Sequence, residues 1–208
     1  MIKCRVFLLI FFISLSYSQS NDEIASFNFV EGDCLLKNDR IFNQFNNVLP
    51  GRNIYSGDII KTKDNSFCTI QFNDKKTYIN IDPNSTIQII DNVLSREVKL
   101  ENGSIYIKNI HNKTKKTYVF TQNNQIFVDN DRIWIGTSYI KGDIFFSVIN
   151  SIDVFNLKKN KQQNITPLKL MSYNDFGDFV ESSNYSILPD YVIYDISNKK
   201  NKTNIIKL

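Results

Sequence analysis

The chain of 208 residues contains a single histidine, His111, and this limits the reactions that it could catalyse. A Ser-His-Asp triad or a Cys-His pair would have to use His111 itself, and a zinc site built from several histidines is excluded. His111 lies in the polar run 109–113, and polar clusters between apolar segments are typical of loops. We therefore interpret His111 as a solvated loop residue and assign no catalytic residue to the chain.

Carboxylates are the remaining candidates for acid–base chemistry. A glycoside hydrolase needs two carboxylates at a defined separation, and Asp58, Asp74, Asp129 and Asp131 could supply such a pair. Each lies beside glycine, asparagine or other turn residues, where aspartate ordinarily caps the backbone. We therefore expect a protein that is not an enzyme. Because histidine and cysteine are so few, we also expect no cofactor and no metal ion.

Residues 1–18 have the layout of a secretory signal peptide. Lys3 and Arg5 precede ten apolar residues, and the small residues of Ser16-Tyr17-Ser18 suit a cleavage site before Gln19. The apolar run is shorter than the roughly 20 residues that a membrane helix needs. The pattern predicts export to a periplasm or out of the cell, with no stable membrane span once the signal is removed. An uncleaved membrane anchor is the alternative.

Removal of the signal would take Cys4 away and leave Cys34 and Cys68. Two cysteines in an exported chain favour a disulfide, because exported proteins meet oxidising conditions. Closing this loop would stabilise the fold by about 3.5–4 kcal/mol in the chain-entropy picture. Each cysteine also lies in an alternating apolar pattern, so two buried free thiols on neighbouring strands are the alternative. The spacing leaves both alternatives open.

Composition bounds the remaining classes of protein. Hydrophobic residues make up 42% of the chain, which is enough for a core, and the length suits one domain with a small appendage. Lysine and arginine together number 25 against 21 aspartates and glutamates. Because nucleic-acid-binding proteins normally carry a dominant basic charge, this near balance argues against a nucleic-acid partner.

Apolar and polar residues alternate with a period of two along most of the chain, which predicts an all-β protein. Strand-like segments such as 68–72, 78–81 and 86–89 recur about every 8–12 residues, with turn residues between them. This spacing is typical of consecutive hairpins. We therefore predict an antiparallel sandwich, or rolled sheets built from such hairpins.

Two residue pairs mark turns inside this pattern. Gly57-Asp58 suits a tight turn, in which glycine adopts a conformation closed to other residues or aspartate caps the backbone. Asn102-Gly103 separates two short apolar segments, and Asn-Gly is the strongest short signal of a β-hairpin. We predict structural turns at all four residues, with Asn102 and Gly103 forming the turn of a hairpin.

The alternation weakens toward the C-terminus. A short helix or irregular turn is allowed between Met171 and Glu181, Tyr191–Tyr194 is the last predicted strand, and Ser197–Thr203 is a basic tail. The patterns divide the chain into a signal peptide (residues 1–18), a β domain (residues 19–172) and a looser C-terminal extension (residues 173–208).

Aromatic residues within the strands raise the question of a second apolar face. Trp134 alternates with Ile133 and Ile135, so its side chain must point to the opposite side of the sheet. Phe145 and Phe146 are adjacent, so these two also point to opposite sides. An exposed platform for binding, including sugar stacking, is one interpretation, and we favour a second buried layer.

The order of the strands resembles the FecR domain family. Gly57–Ser66 gives a G-D-x-I-x-T entry, Cys68–Phe72 an apolar strand, Val98–Ile107 a V-x-L-x-x-G-x-I segment, and Tyr118–Thr121 is similar to a later strand of the family. The resemblance spans roughly residues 30–170 and implies a FecR-like β fold. Regulatory FecR members place a cytoplasmic anti-sigma segment before a membrane helix, whereas five residues precede the apolar run here. We therefore expect a stand-alone, exported FecR-like protein.

Two functions remain as hypotheses. The first is a non-enzymatic binding module of the cell envelope, whose partner is an envelope protein or polysaccharide that the sequence does not identify. The second is a membrane-anchored FecR-type sensor or anti-sigma regulator of envelope or iron-uptake signalling, which requires that the apolar segment be retained. The N-terminal residue of the mature protein distinguishes the two hypotheses.

Overall fold

The computed structural model describes residues 22–38, 42–110, 115–138, 142–173, 179–182 and 185–205. The predicted signal peptide and His111 lie outside the described residues. Within the described residues, no helix is long and apolar enough to cross a membrane.

The described residues form many short strands, followed by a 3-10 turn and one α-helix. The strands are β1 Glu23–Glu31, β2 Cys34–Asn38, β3 Phe42–Asn47, β4 Asn53–Tyr55, β5 Ile59–Thr62, β6 Phe67–Phe72, β7 Thr77–Ile81, β8 Thr86–Asp91, β9 Ser95–Asn109, β10 Lys116–Phe120, β11 Asn124–Val128, β12 Arg132–Ser138, β13 Gly142–Ser147, β14 Ile152–Asn156, β15 Lys161–Ile165, β16 Leu170–Tyr173 and β17 Phe179–Ser182. The 3-10 turn covers Tyr185–Ile187, and helix α1 covers Asp190–Ile205.

The strands form two sheets that share β9. Sheet A has the order β4-β1-β6-β7-β9-β12-β13-β16-β17. Sheet B has the order β3-β2-β5-β8-β9-β10-β11-β14-β15. Among the described strands, β9 and β10 are the one parallel pair, and all other pairs are antiparallel. The predicted all-β architecture of consecutive hairpins is confirmed.

The long strand β9 passes from one sheet to the other at Asn102-Gly103. Its residues up to Asn102 pair with β8 in sheet B, and its residues from Gly103 onward pair with β12 in sheet A. The predicted hairpin at this position is wrong, because the chain bends there and continues as the same strand. Gly103 has a φ of +90°, which permits the bend. Strands that change sheets commonly do so at such a bend or bulge.

The two sheets pack face to face around a largely aliphatic core. The inward-facing residues alternate with outward-facing ones along the strands, as the period of two requires. Five of them lie side by side across sheet A, and we call this set the inner row: Ile81, Ile105, Ile135, Phe145 and Met171. All five belong to the core cluster between the sheets, which also contains residues of sheet B such as Ile60 and Ile87.

The C-terminal part of the chain lies on the outer face of sheet A. Tyr191–Tyr194 was predicted to form a strand, and this prediction is wrong, because these residues open helix α1. Pro189 precedes the helix, and its carbonyl accepts hydrogen bonds from the N–H groups of Val192 and Ile193. The helix or irregular turn allowed between residues 171 and 181 is a pair of strands, β16 and β17, in the described part of that stretch.

Candidate binding cleft

A row of mostly aromatic residues crosses the outer face of sheet A. Its members face one another on adjacent strands, and we call them the outer row: Asn80, Tyr106, Trp134, Phe146 and Leu170. Tyr106, Trp134 and Phe146 are almost completely buried beneath the C-terminal residues. The second buried layer predicted for Trp134 and for one of the adjacent phenylalanines is therefore confirmed. Gly136 makes room for the indole, since a Cβ there would lie 2.9 Å from the Trp134 ring.

Asp82 is a buried carboxylate at one end of this face. Its Oδ1 accepts a hydrogen bond from the Tyr191 hydroxyl at 2.6 Å. Its Oδ2 accepts hydrogen bonds from the Ser104 hydroxyl at 2.6 Å and from the Trp134 indole N–H at 3.1 Å. Burial raises the pKa of Asp82, although all three hydrogen bonds favour the ionised form and oppose this shift. Asp82 thus joins three chain segments that are distant in sequence.

A second group of polar side chains joins the helix to the same face. The Tyr106 hydroxyl donates a hydrogen bond to Asp195 Oδ2 at 2.5 Å, and Arg132 forms an ion pair with the same carboxylate. Burial, followed by the neighbouring carboxylates, raises the pKa values of Tyr106 and Tyr191. Both hydroxyls therefore keep their protons and act as donors across the physiological pH range.

A cleft of about 440 Å³ opens where the sheet, Asp82 and the start of α1 meet. Aromatic rings line it, with Phe67 and Tyr191 5.7 Å apart in an edge-to-face arrangement and Trp134 nearby. Its polar lining includes Glu31, Asn65, Ser104 and Asp82. Aromatic faces combined with carboxylate and amide groups suit ligands that have both apolar surfaces and hydrogen-bonding groups.

None of the four residues predicted to form turns is part of this cleft lining. Gly57 has a φ of +99° and its N–H donates to the Ile89 carbonyl at 2.7 Å. The Asp58 carboxylate accepts a hydrogen bond from the Tyr55 N–H at 2.9 Å, so this aspartate caps the backbone. Gly103 packs against the 82–85 turn, and a Cβ there would lie 2.3 Å from Ser85 Oγ. The Asn102 side chain donates to the Asn84 carbonyl at 2.9 Å.

Cys34 and Cys68 lie together in the core, on strands of opposite sheets. Both are completely buried free thiols, and the Cys34 thiol donates to the Phe67 carbonyl oxygen at 3.4 Å. The contact with Cys34 and the burial of the site raise the pKa of Cys68. The two thiols are close enough for each to shift the pKa of the other, lowering it at Cys34 and raising it at Cys68, and the disulfide stays a prediction.

Sequence reasoning missed a charged cluster in which Arg96 is buried against the Phe72 ring, 3.4 Å from its centroid. The guanidinium pairs with Asp74 at 2.9 Å and with Asp91 at 3.2 Å. Burial alone would raise the pKa of Asp74, but the Lys76 N–H and the Arg96 charge outweigh burial and lower it. A carboxylate paired in this way with a buried arginine stabilises the folded structure.

Asp82, Tyr106 and Tyr191 were not identified as site residues from the sequence. One available signal was the spacing of Leu188, Val192 and Ile196, because apolar residues four apart line one side of a helix. Pro189 directly before Asp190 is a second helix-start signal, since proline is favoured there and an acidic residue suits the first turn. The position of Asp82 depends on residues distant in sequence, and no local pattern encodes it.

Comparison with protein families gives one match. The model of a family described as "FecR protein" matches residues 58–145, which run from the Gly57-Asp58 turn to β13. The resemblance predicted from the sequence is confirmed over this range, which includes Asp82, Tyr106 and Trp134. No curated protein matches the chain at a significant level.

Solved structures with a similar fold include two crystal structures, at 1.65 and 2.50 Å resolution, of a protein described as an anti-sigma factor candidate from Parabacteroides distasonis ATCC 8503. Their TM-scores are 0.53 and 0.51, each at 12% sequence identity. Each match covers 60% of this chain and 58% of the other, so it spans less than two thirds of the solved protein. At this identity the likeness shows the fold alone.

Proposed function

We propose that the chain, whose residues 58–145 match the FecR family model, is an exported, non-enzymatic FecR-type module that binds another component of the cell envelope. The observation that carries this proposal is the cleft beside Asp82, in which aromatic rings and hydrogen-bonding groups converge. Clefts of this composition bind proteins or polysaccharides through ring stacking and oriented hydrogen bonds. The partner is an envelope protein or polysaccharide.

The surroundings of the aspartates support binding rather than catalysis. Asp58 accepts a bond from the backbone, and Asp74 is paired with Arg96. Asp131 accepts hydrogen bonds from the Ser147 hydroxyl and from the backbone N–H groups of Ile149 and Asn150. Carboxylates whose oxygens are occupied by the chain's own donors stabilise turns, whereas a glycosidase needs two carboxylates that face the substrate.

The experiment is photo-crosslinking in the cell of origin, from two positions on the full-length chain. A photoreactive residue at Phe67 lines the cleft, and one at Phe127, which is 41% exposed on a strand of sheet B, serves as the matched control. Captured proteins and glycans are identified by mass spectrometry, together with the N-terminal residue of the bait. We expect a defined envelope component from position 67 only, with a bait that begins near Gln19. Equal capture from both positions, or none from position 67, would overturn the proposal.

The second candidate is a membrane-anchored FecR-type sensor or anti-sigma regulator. It is favoured by the fold shared with the proteins described as anti-sigma factor candidates. A bait that keeps residues 1–15 and captures a membrane regulator would support this candidate and contradict the exported module.

A further inference from the structure

Residues 185–197 cover the outer row as a separate piece of chain laid on a sheet that is complete without it. Leu188 and Val192 are buried against Trp134 and Phe146, and the Tyr191 ring lies 5.8 Å from the Tyr106 ring. Tyr185 contacts Phe146 edge-on, also at 5.8 Å. Without this segment, sheet A would expose a continuous aromatic patch, and patches of this kind mark interaction surfaces.

The polar contacts of the segment run in both directions. The helix donates a hydrogen bond from Tyr191 to Asp82 on the sheet, and the sheet donates one from Tyr106 to Asp195 on the helix. Arg132 adds an ion pair to Asp195. Tyr191 and Asp195 are four residues apart, so they project from the same side of the helix. A segment is therefore recognised here by a tyrosine and an aspartate at this spacing, together with a buried apolar residue between them.

The segment is less firmly held than the strands below it. Ile193 is 40% exposed and Tyr194 is 68% exposed, so one side of the helix faces solvent. An isolated helix of this length is marginal in water, so its stability depends on this one contact face. Water can replace hydroxyl–carboxylate bonds at a partly open site, whereas it cannot enter the inner core. Local opening is expected at such an element before the sheets open.

We propose that the outer row and Asp82 form a docking groove for a helical protein segment carrying tyrosine and aspartate four residues apart, and that residues 185–197 occupy this groove as a displaceable internal ligand. The inference rests on the function proposed above, and it names the partner class as a protein. A partner that presents the same pattern competes with the chain's own segment, so the fraction of time that residues 185–197 occupy the groove also sets the apparent affinity for that partner.

The test uses the full-length chain and a fluorescein-labelled synthetic peptide of residues 185–205. In the variant Tyr191→Phe/Asp195→Asn, which we call the anchor variant, the resident segment loses the hydrogen bond from Tyr191 to Asp82 and the negative charge that pairs with Arg132. We expect the wild-type peptide to bind this variant at least about tenfold more tightly than it binds the wild-type chain, because the groove is less often occupied. The control variant Tyr194→Phe makes the same change at an exposed tyrosine of the same helix, and it should bind as the wild type does.

Trp134 supplies a second readout, because it is the single tryptophan of the chain and lies under the segment. Its emission should shift to the red in the anchor variant and return when the wild-type peptide is added, which also shows that the variant is folded. The docking-groove proposal is wrong if the peptide binds equally to all three chains, or if the Trp134 emission of the anchor variant does not change when the peptide is added. A peptide carrying the same two substitutions should fail to compete.

The two proposals fail in different ways. If the peptide binds as expected but position 67 captures nothing in the cell, the docking groove is supported and the proposed envelope-binding function is wrong. If position 67 captures a glycan, or a protein that the peptide does not displace, the envelope-binding function is supported and the docking groove for a helical protein segment is wrong.

Discussion

The two faces of sheet A bury their large side chains in different ways. The inner row presents aliphatic and aromatic carbon to the opposite sheet, and it belongs to the large core cluster shared by both sheets. The outer row carries hydroxyl, indole and amide groups, and one short segment at the end of the chain covers most of it. The same strands therefore contribute to a permanent core on one side and to a contact held partly by hydrogen bonds on the other.

This difference separates two energetic roles. Aliphatic burial between two sheets is non-directional and stabilises the fold as a whole. The outer contact depends on directed bonds among Asp82, Tyr191, Tyr106 and Asp195, which give specificity to whatever segment lies there. Substitutions in the inner row should therefore change the global stability, whereas substitutions in the outer row should mainly change how firmly residues 185–197 are held.

The adjacent residues Phe145 and Phe146 provide the largest contrast. Both are fully buried, but Phe145 belongs to the inner core and Phe146 to the outer cluster. We expect Phe145→Ala to lower the free energy of unfolding by about 3–5 kcal/mol, since the core on both sides cannot collapse around the cavity. We expect Phe146→Ala to cost about 1–2 kcal/mol, because the covering segment can shift. Guanidinium denaturation with far-UV circular dichroism measures both values.

Hydrogen exchange then tests where each substitution acts. Phe146→Ala should raise exchange in residues 188–197 while leaving β12 protected, and Phe145→Ala should raise exchange in both sheets. Equal losses of stability with the same exchange pattern would contradict a difference between the faces.

A disulfide between Cys34 and Cys68 should stabilise the core between the two sheets without changing the contact made by the C-terminal segment. Oxidation would join β2 of sheet B to β6 of sheet A through Cys34 and Cys68, both of which are buried in the core between the sheets. If the bond forms without strain, we predict an increase of about 3.5–4 kcal/mol in the free energy of unfolding. Thiol titration of the exported protein measures the oxidation state, and denaturation with and without reductant measures the stability. A matched Cys34→Ser variant should show no dependence on reductant.

Exchange in residues 188–197 should be the same in the oxidised and reduced forms. Free thiols in protein collected under oxidising conditions, or a bond that leaves stability unchanged, would show that the two cysteines are ordinary core residues.

The comparison of the faces also shows what the sequence could predict. Alternation placed Ile133, Ile135 and Trp134 on the correct sides, because side-chain direction in a strand is a local property. It could not predict that Asn102-Gly103 bends a strand, since a hairpin and a sheet-crossing bend use the same left-handed glycine. Which one forms depends on pairing with β8 and β12, far away in sequence.

The prediction of a strand at Tyr191–Tyr194 failed for a related reason. Tyr191, Val192, Ile193 and Tyr194 have high strand propensity, but packing on the outer row decides the outcome, as tertiary contacts often do. The cleft was unpredictable because Asp82 and Tyr191 lie 109 positions apart.

The crossing point of β9 gives a sharper test of the shared framework. Gly103 and Gly51 both have a positive φ, +90° and +83°, but a Cβ at Gly103 would lie 2.5 Å from the Ser85 Cα, whereas nothing lies within 4 Å at Gly51. Gly103→Ala should cost about 2–4 kcal/mol, from the left-handed backbone and the overlap together. Gly51→Ala should cost about 1–2 kcal/mol, from the backbone alone. Equal costs, measured by urea denaturation, would show that the close approach at Ser85 carries no weight.

The smallest expected effect is a pH dependence that originates at Asp82. Its pKa is raised in the folded protein, so between about pH 3.9, where an unfolded aspartate titrates, and this higher value the folded state holds an extra proton. The free energy of unfolding contributed by Asp82 therefore falls as the pH rises through that window. Asp82→Asn removes this dependence, so the stability of the variant should improve relative to the wild type as the pH rises.

The Trp134 indole, which donates to Asp82, should report the same titration in its emission. Asp131, whose pKa burial also raises, lies at another turn and provides the control. Asp131→Asn should leave the Trp134 titration in place, whereas Asp82→Asn should abolish it. An emission change with its midpoint below pH 3.9 would mean that the hydrogen bonds from Tyr191, Ser104 and Trp134 outweigh burial. The outer contact would then be strongest when Asp82 is ionised, and acid alone would release the C-terminal segment.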